Sequence, residues 1–215
     1  MARPKLNDRA ARHDPAYQRA KRENFAARAI FKLEEIDQKF RLLRAGARVL
    51  DLGCWPGSWM QYVATKVGDT GLVHGIDLRP VTVALPAYVH HEVADVMTWS
   101  PADLGRIDVV LSDMAPHTSG DRHSDQFHSE ELAARALEIG RQALRPGGHL
   151  VAKVFQGGRF GELLKAWKSA FQEARPFHCK DTRATSSEQY LIGRGLLKAA
   201  QLEPPPQAPA MNTAG

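Results

Sequence analysis

The chain has 215 residues, 43% of them hydrophobic and 25% charged, which suits one ordinary globular domain able to bury a core without disulfides or a structural metal. No apolar run approaches the roughly 20 residues of a membrane span, and the basic start MARPKLNDRAARHDP lacks the apolar stretch of a secretory signal. Two cysteines, Cys54 and Cys179, cannot build a disulfide framework and suit a reducing, cytoplasmic setting. The net charge of +5 is unevenly spread. Residues 1–50 hold 13 Lys and Arg against 6 Asp and Glu, residues 51–144 hold 6 against 13, and residues 145–198 hold 10 against 4. Two basic segments that fold together would make a cationic face for a polyanion. The same charges would serve equally as solvated helix surface.

Residues 1–17 are polar, basic and aperiodic and are expected to be a flexible N-terminus, with the domain proper over 18–198. From Arg19 a helical pattern sets in, with Phe25, Ala29, Phe31, Ile36 and Phe40 at three- and four-residue steps, and Arg44-Ala45-Gly46 closes it. ARVLDL (47–52) predicts a strand, followed by the turn Gly53–Gly57 and a helix over SWMQYVATKV. LVHGIDL (72–78), YVHHEV (88–93) and RIDVVLSD (106–113) predict three more strands, leading to Asp77, Asp95 and Asp113. Residues 114–129 are polar and turn-rich and read as a loop, with Ser129 capping the amphipathic helix SEELAARALEIGRQAL. Pro146-Gly147-Gly148 reads as a turn; then come the strand HLVAKVFQ, the helix FGELLKAWKSAFQEA and a last strand, EQYLIG. The tail 199–215, rich in Pro and polar residues, is expected to be disordered. Strands alternating with helices predict an α/β fold, an open and mostly parallel sheet with helices on both faces. In such a sheet the ligand binds beyond the carboxyl ends of the strands.

DLGCWPGSW (51–59) follows the first strand with Gly53 and Gly57 spaced G-x-x-x-G, which disfavours a dinucleotide and hence an oxidoreductase. A strand–Asp-x-Gly turn suits S-adenosyl-L-methionine, which has no phosphate to cradle. Asp77 stands where ribose hydroxyls would need an acceptor, and Asp95 where an adenine amino group would. Trp59 is the better placed tryptophan to meet the cofactor, through its backbone; Trp55 reads as packing and Cys54 as a small filler. The alternative is a tight turn with ordinary strand-end carboxylates. His117, His123 and His128 share one polar loop, but their spacing fits no metal site, so no metal is expected.

Lys153 lies inside the apolar strand VAKVF, where burying an ammonium costs on the order of several kcal/mol unless it is paired or neutral. In a cleft it is a candidate general base, because desolvation disfavours its charged form; on an edge strand it would merely snorkel to water. Lys32, Asp113 and Glu188 come from widely separated segments, and each sits at the edge of an apolar element.

The chain resembles the FtsJ family of ribosomal RNA large-subunit 2′-O-ribose methyltransferases. The resemblance runs from about Tyr17 to Gly193 and is carried by ARAIFKLEEID (27–37), DLGCWPGSWMQYV (51–63), GIDL (75–78), LSDMAPHTSG (111–120), LRPGGHLVAKVFQG (144–157) and RATSSEQYLIG (183–193). It implies a Rossmann-like, seven-stranded methyltransferase sheet and a catalytic tetrad at Lys32, Asp113, Lys153 and Glu188. It also implies cofactor contacts at Gly53, Gly57, Trp59, Asp77, Asp95 and Asp113. Cys54-Trp55 stands where the family usually has small residues. The implied substrate is a uridine of large-subunit (23S-type) rRNA in the assembled 50S subunit, met by a monomer without an obligate protein partner. Arg19, Lys21, Arg22 and Arg28, with Lys180 and Arg183, are expected to line the RNA approach. A tRNA 2′-O-methyltransferase and a non-catalytic ribosome-assembly factor are the competing readings; the four intact tetrad positions weigh against the second.

Overall fold

The computed structural model describes residues 15–117, 119–180 and 187–198. Residues 1–14 of the start expected to be flexible over 1–17, the tail 199–215 and Arg183 lie outside the described residues. The elements in chain order are α1 (Pro15–Arg22), α2 (Ile30–Phe40), β1 (Arg48–Leu52), α3 (Ser58–Val67), β2 (Leu72–Asp77), β3 (Val89–Val93) and β4 (Ile107–Ser112). They continue with α4 (Arg122–Ala143), β5 (Leu144–Phe155), α5 (Phe160–Ala170), β6 (Phe171–Phe177) and β7 (Glu188–Leu196).

All seven strands form one sheet in the order β3-β2-β1-β4-β5-β7-β6. The first five are parallel, β7 runs antiparallel to β5, and β6 runs antiparallel to β7. The central strands are apolar on both faces because helices cover both sides. Val49, Val109, Leu111, Val151 and Ile192 pack under α1–α3, while Leu50, Leu52, Val110, Leu150 and Val154 pack under α4 and α5. The edge strands β3 (VHHEV) and β6 (FQEARPF) are mostly exposed, and Pro176 is tolerated in β6 because that strand is an edge. Among the described residues no helix is long and apolar enough to cross a membrane.

The structure departs from the sequence reading at four places. The single helix expected from Arg19 is two: Pro15 starts α1 at its first position, so residues 15–17 are helical, and the chain then breaks at Asn24, with φ 59°, before α2. Polar anchors from α3 hold that break, the Gln61 amide to Asn24 O and Ala26 N and the Trp59 indole to Ala29 O, which periodicity cannot register. Next, α4 begins at Arg122 rather than after Ser129, capped by Asp121, whose carboxylate accepts from His123 N and Ser124 N. Its first two turns look loop-like because their buried face is polar: Gln126, Ser129 and Glu130 bond the chain just after Lys153. Third, Pro146-Gly147-Gly148 is a bulge inside β5, whose pairing to β4 jumps from Ile107–Leu144 to Val109–His149. Last, the helix expected to run through Ala174 ends at Ala170. Phe171 still packs on Trp167 as a helical residue would, yet it opens β6, because β7 needs an antiparallel neighbour.

Candidate active site

The strand order reverses between β1 and β4, and the crevice beyond their carboxyl ends is where an open α/β sheet takes its ligand. There a cleft of about 340 Å³ is lined by Gly53, Trp55, Asp77, Leu78, Arg79, Asp95, Met97, Asp113, Met114 and His117, among others. Gly53 has φ 78°, and a Cβ on it would come within 2.6 Å of the Met114 side chain, so only glycine lets the two loops meet. The Asp77 carboxylate accepts from Trp55 N at 3.0 Å and Arg79 N at 2.9 Å, and Asp95 accepts from Met97 N at 2.9 Å. Asp95 is therefore oriented by the backbone of its own turn, and Asp77 by its own turn and by the turn after β1. Gly57 and Trp59 do not line the cleft. A Cβ on Gly57 would strike Val81 and Val83, and the Trp59 side chain is buried, packed on Tyr190 and bonded to Ala29 O.

Beneath the cleft lies Asp51, fully buried, with neither carboxylate oxygen hydrogen-bonded. Burial pushes its carboxyl well above the usual carboxylate range, and the charges of Asp113 and Asp77 push the same way. Cys54 fills the space over Gly75, and burial also raises its thiol, so it is a filler rather than a nucleophile.

Beyond Asp113 the site changes character. Lys153 is 9% exposed, and its Nζ donates to Asp113 O at 2.6 Å and faces Asp113 Oδ1 at 3.1 Å. The Tyr190 hydroxyl donates to the same Oδ1 at 2.7 Å, and Tyr190 stands directly opposite Lys153 in the β5–β7 ladder. Lys32, reaching over from α2, pairs with Glu188 at the start of β7. Tyr190 and Cys179 both lie within reach of the charges of the two ion pairs. Burial, then the charges of Asp113 and Glu188, hold the Tyr190 phenol well above its ordinary range. The Cys179 thiol, bonded to Lys32 O, is pushed up to about 12 by burial and by the charges of Glu35, Glu188 and Asp113, against the opposing pull of the Lys32 ammonium.

Asp51 and Tyr190 escaped the sequence reading, although both carried a signal. Asp51 is a carboxylate inside an apolar run, as Lys153 is an ammonium in one, and strand alternation puts Tyr190 on the face of Glu188.

The basic residues are less uniform. Lys21 and Arg22 are exposed on the last turn of α1, and Arg28 is half-buried in the turn before α2. Arg19 and Lys180 line one shallow cleft of about 260 Å³, but Glu34 and Glu35 line it too, and Arg19 is paired with Glu23 and Glu34.

Residues 25–196 match the FtsJ-like methyltransferase family. The chain belongs to the FtsJ-like methyltransferases. It is 46% identical over 191 residues to the ribosomal RNA large subunit methyltransferase E of Syntrophobacter fumaroxidans, covering 86% of this chain and 97% of that one. It is 43% identical over 187 residues to the protein of the same name from Bdellovibrio bacteriovorus, covering 84% and 95%. Its fold is similar to the crystal structure of a ribosomal RNA methyltransferase from Plasmodium falciparum, with a TM-score of 0.69 at 24% identity over 80% of this chain and 99% of that one. An FtsJ-like methyltransferase needs a place for a methyl donor and a means of activating the acceptor, and the acid-lined cleft and the lysine–carboxylate cluster meet at Asp113.

Proposed function

We propose that this chain methylates the 2′-hydroxyl of a uridine ribose in large-subunit (23S-type) rRNA, within the assembled 50S subunit, using S-adenosyl-L-methionine. The carrying observation is Lys153, buried in β5 with its Nζ held by Asp113 O and Oδ1 at the rim of the carboxylate cleft. The relatives named for large-subunit rRNA, matched over nearly their whole length, support the substrate class.

The residues present fit the donor. Asp77 and Asp95 keep acceptor capacity beyond their backbone bonds, for ribose hydroxyls and an adenine amino group. Asp113 at the cleft wall complements a cation. When bound, S-adenosyl-L-methionine supplies a methyl group already activated on a sulfonium, so the chain's task is to position and deprotonate the acceptor. Lys153 Nζ receives the hydroxyl proton as the methyl group arrives, and Asp113 and Tyr190 hold that amine in place. Lys32, held by Glu188, adds a second positive charge where the alkoxide develops. Lys21 and Arg22, with Arg19, Arg28, Lys180 and Arg183, meet RNA phosphates on the approach.

Labelled S-adenosyl-L-methionine incubated with separated tRNA, naked rRNA and 50S particles, followed by nuclease mapping, tests this reading. Label in a single 2′-O-methyluridine of the 50S fraction is expected. Label confined to tRNA would replace the substrate, and none in any fraction would remove the enzyme.

A further inference from the structure

Among the described residues five large apolar side chains stand exposed, and three of them, Trp55, Leu78 and Met97, line the one cleft. Apolar surface left in water at a single cleft marks it as covered when occupied. Trp55 is the largest of the three and is 44% exposed. Its backbone is pinned, since Asp77 accepts from both Trp55 N and Arg79 N, while its indole carries the Arg79 guanidinium 4.8 Å from the ring centroid. One carboxylate thus ties two loops together and leaves their side chains stacked at the mouth. A nucleoside joined to a sulfonium offers a flat π surface and a positive charge, and both are attracted to an indole face.

We propose that Trp55 is a cofactor-binding residue: its indole covers the nucleoside of S-adenosyl-L-methionine in the cleft, with Arg79 stacked on it as a second layer that keeps water out. This rests on the methyl-donor reading of the cleft. The cover acts on retention. The backbone anchors are already made, so closing orders only two side chains, and release of the donor or of its product waits on their opening.

Calorimetric titration of the full chain with S-adenosyl-L-methionine tests the cover, together with acrylamide quenching of tryptophan emission. Trp55→Ala should weaken binding roughly tenfold, Trp55→Phe should retain most of the affinity, and Arg79→Ala should cost roughly two- to threefold. The donor should shield emission from acrylamide in the wild type and much less in Trp55→Ala, because Trp59 and Trp167 are already buried and the half-buried Trp99 does not line the cleft. A wild type that binds the donor, with Trp55→Ala binding equally well and equally shielded, overturns the cover and leaves the methyl-donor reading standing. A Trp55→Ala defect confined to RNA affinity also overturns it, making the pair a nucleic-acid contact. A wild type that binds no donor removes both.

Discussion

The two halves of the site are held by different means. In the cofactor cleft Asp77 and Asp95 are each fastened close at hand, to a backbone amide two residues on, and Trp55 N adds a second bond to Asp77 from the neighbouring turn. In the lysine cluster every fastening is distant, with Lys153 and Asp113 40 positions apart, Tyr190 and Asp113 77 apart, and Lys32 and Glu188 156 apart. The cleft acids are set by turn chemistry and survive small shifts of the frame. The lysine cluster exists only if β5 and β7 pair in register and α2 docks correctly. Substitutions should therefore separate donor affinity from turnover.

The largest separation is expected at Lys153. Lys153→Ala should lower kcat by about 10²- to 10⁴-fold, the usual worth of a general base, with the donor dissociation constant nearly unchanged. Lys153→Arg, which keeps the charge but cannot serve as a base at neutral pH, should be as inactive, and substantial turnover by it would make the role purely electrostatic. Asp77→Asn should do the opposite, weakening donor binding by about tenfold or more through loss of a charged acceptor, while kcat at saturating donor stays close to wild type. Equal losses in both quantities would break the division.

A smaller effect is expected at Trp59, whose indole N–H holds Ala29 O and so sets where α2 begins. Trp59→Phe should cost about 1 kcal/mol of stability and lower kcat more than donor affinity, because Lys32 sits in the first turn of α2. Donor binding reduced as much as turnover would mean that Trp59 serves the cleft instead.

The smallest signal is one of pH. A carboxyl whose folded pKa is raised contributes its stability below the ordinary carboxylate range and withdraws it as pH climbs toward the folded value. For Asp51 that loss begins in mild acid and continues upward. His74 and His149, both lowered by burial, act in the opposite sense, so only a comparison with a variant isolates Asp51. The melting temperature of Asp51→Asn, which does not ionise, should gain on the wild type between about pH 5 and pH 8. Parallel curves would mean that Asp51 does not carry that cost.

The sequence was most legible where a structure is local. The alternation of strands and helices, the strand ends at Asp77 and Asp113 and the misfit of Lys153 in an apolar strand could all be read from neighbours in the chain. It was least legible where partners are distant. The first turns of α4 read as a loop because their buried side chains are polar and satisfied by the β5 end. The start of β6, through Ala174, read as helix because Phe171 satisfies both periods.

Two tryptophans four residues apart mark the boundary. By itself the sequence determined the parallel α/β architecture and the acid-tipped strands of the cleft, because strand period, turn glycines and Asx turns act within a few residues. Only the tertiary structure decided that Trp59 is buried against Tyr190 while Trp55 stands open at the cleft mouth, and that Lys32 meets Glu188. Burial and cross-strand register depend on which distant segments come to lie alongside, and no local pattern encodes them.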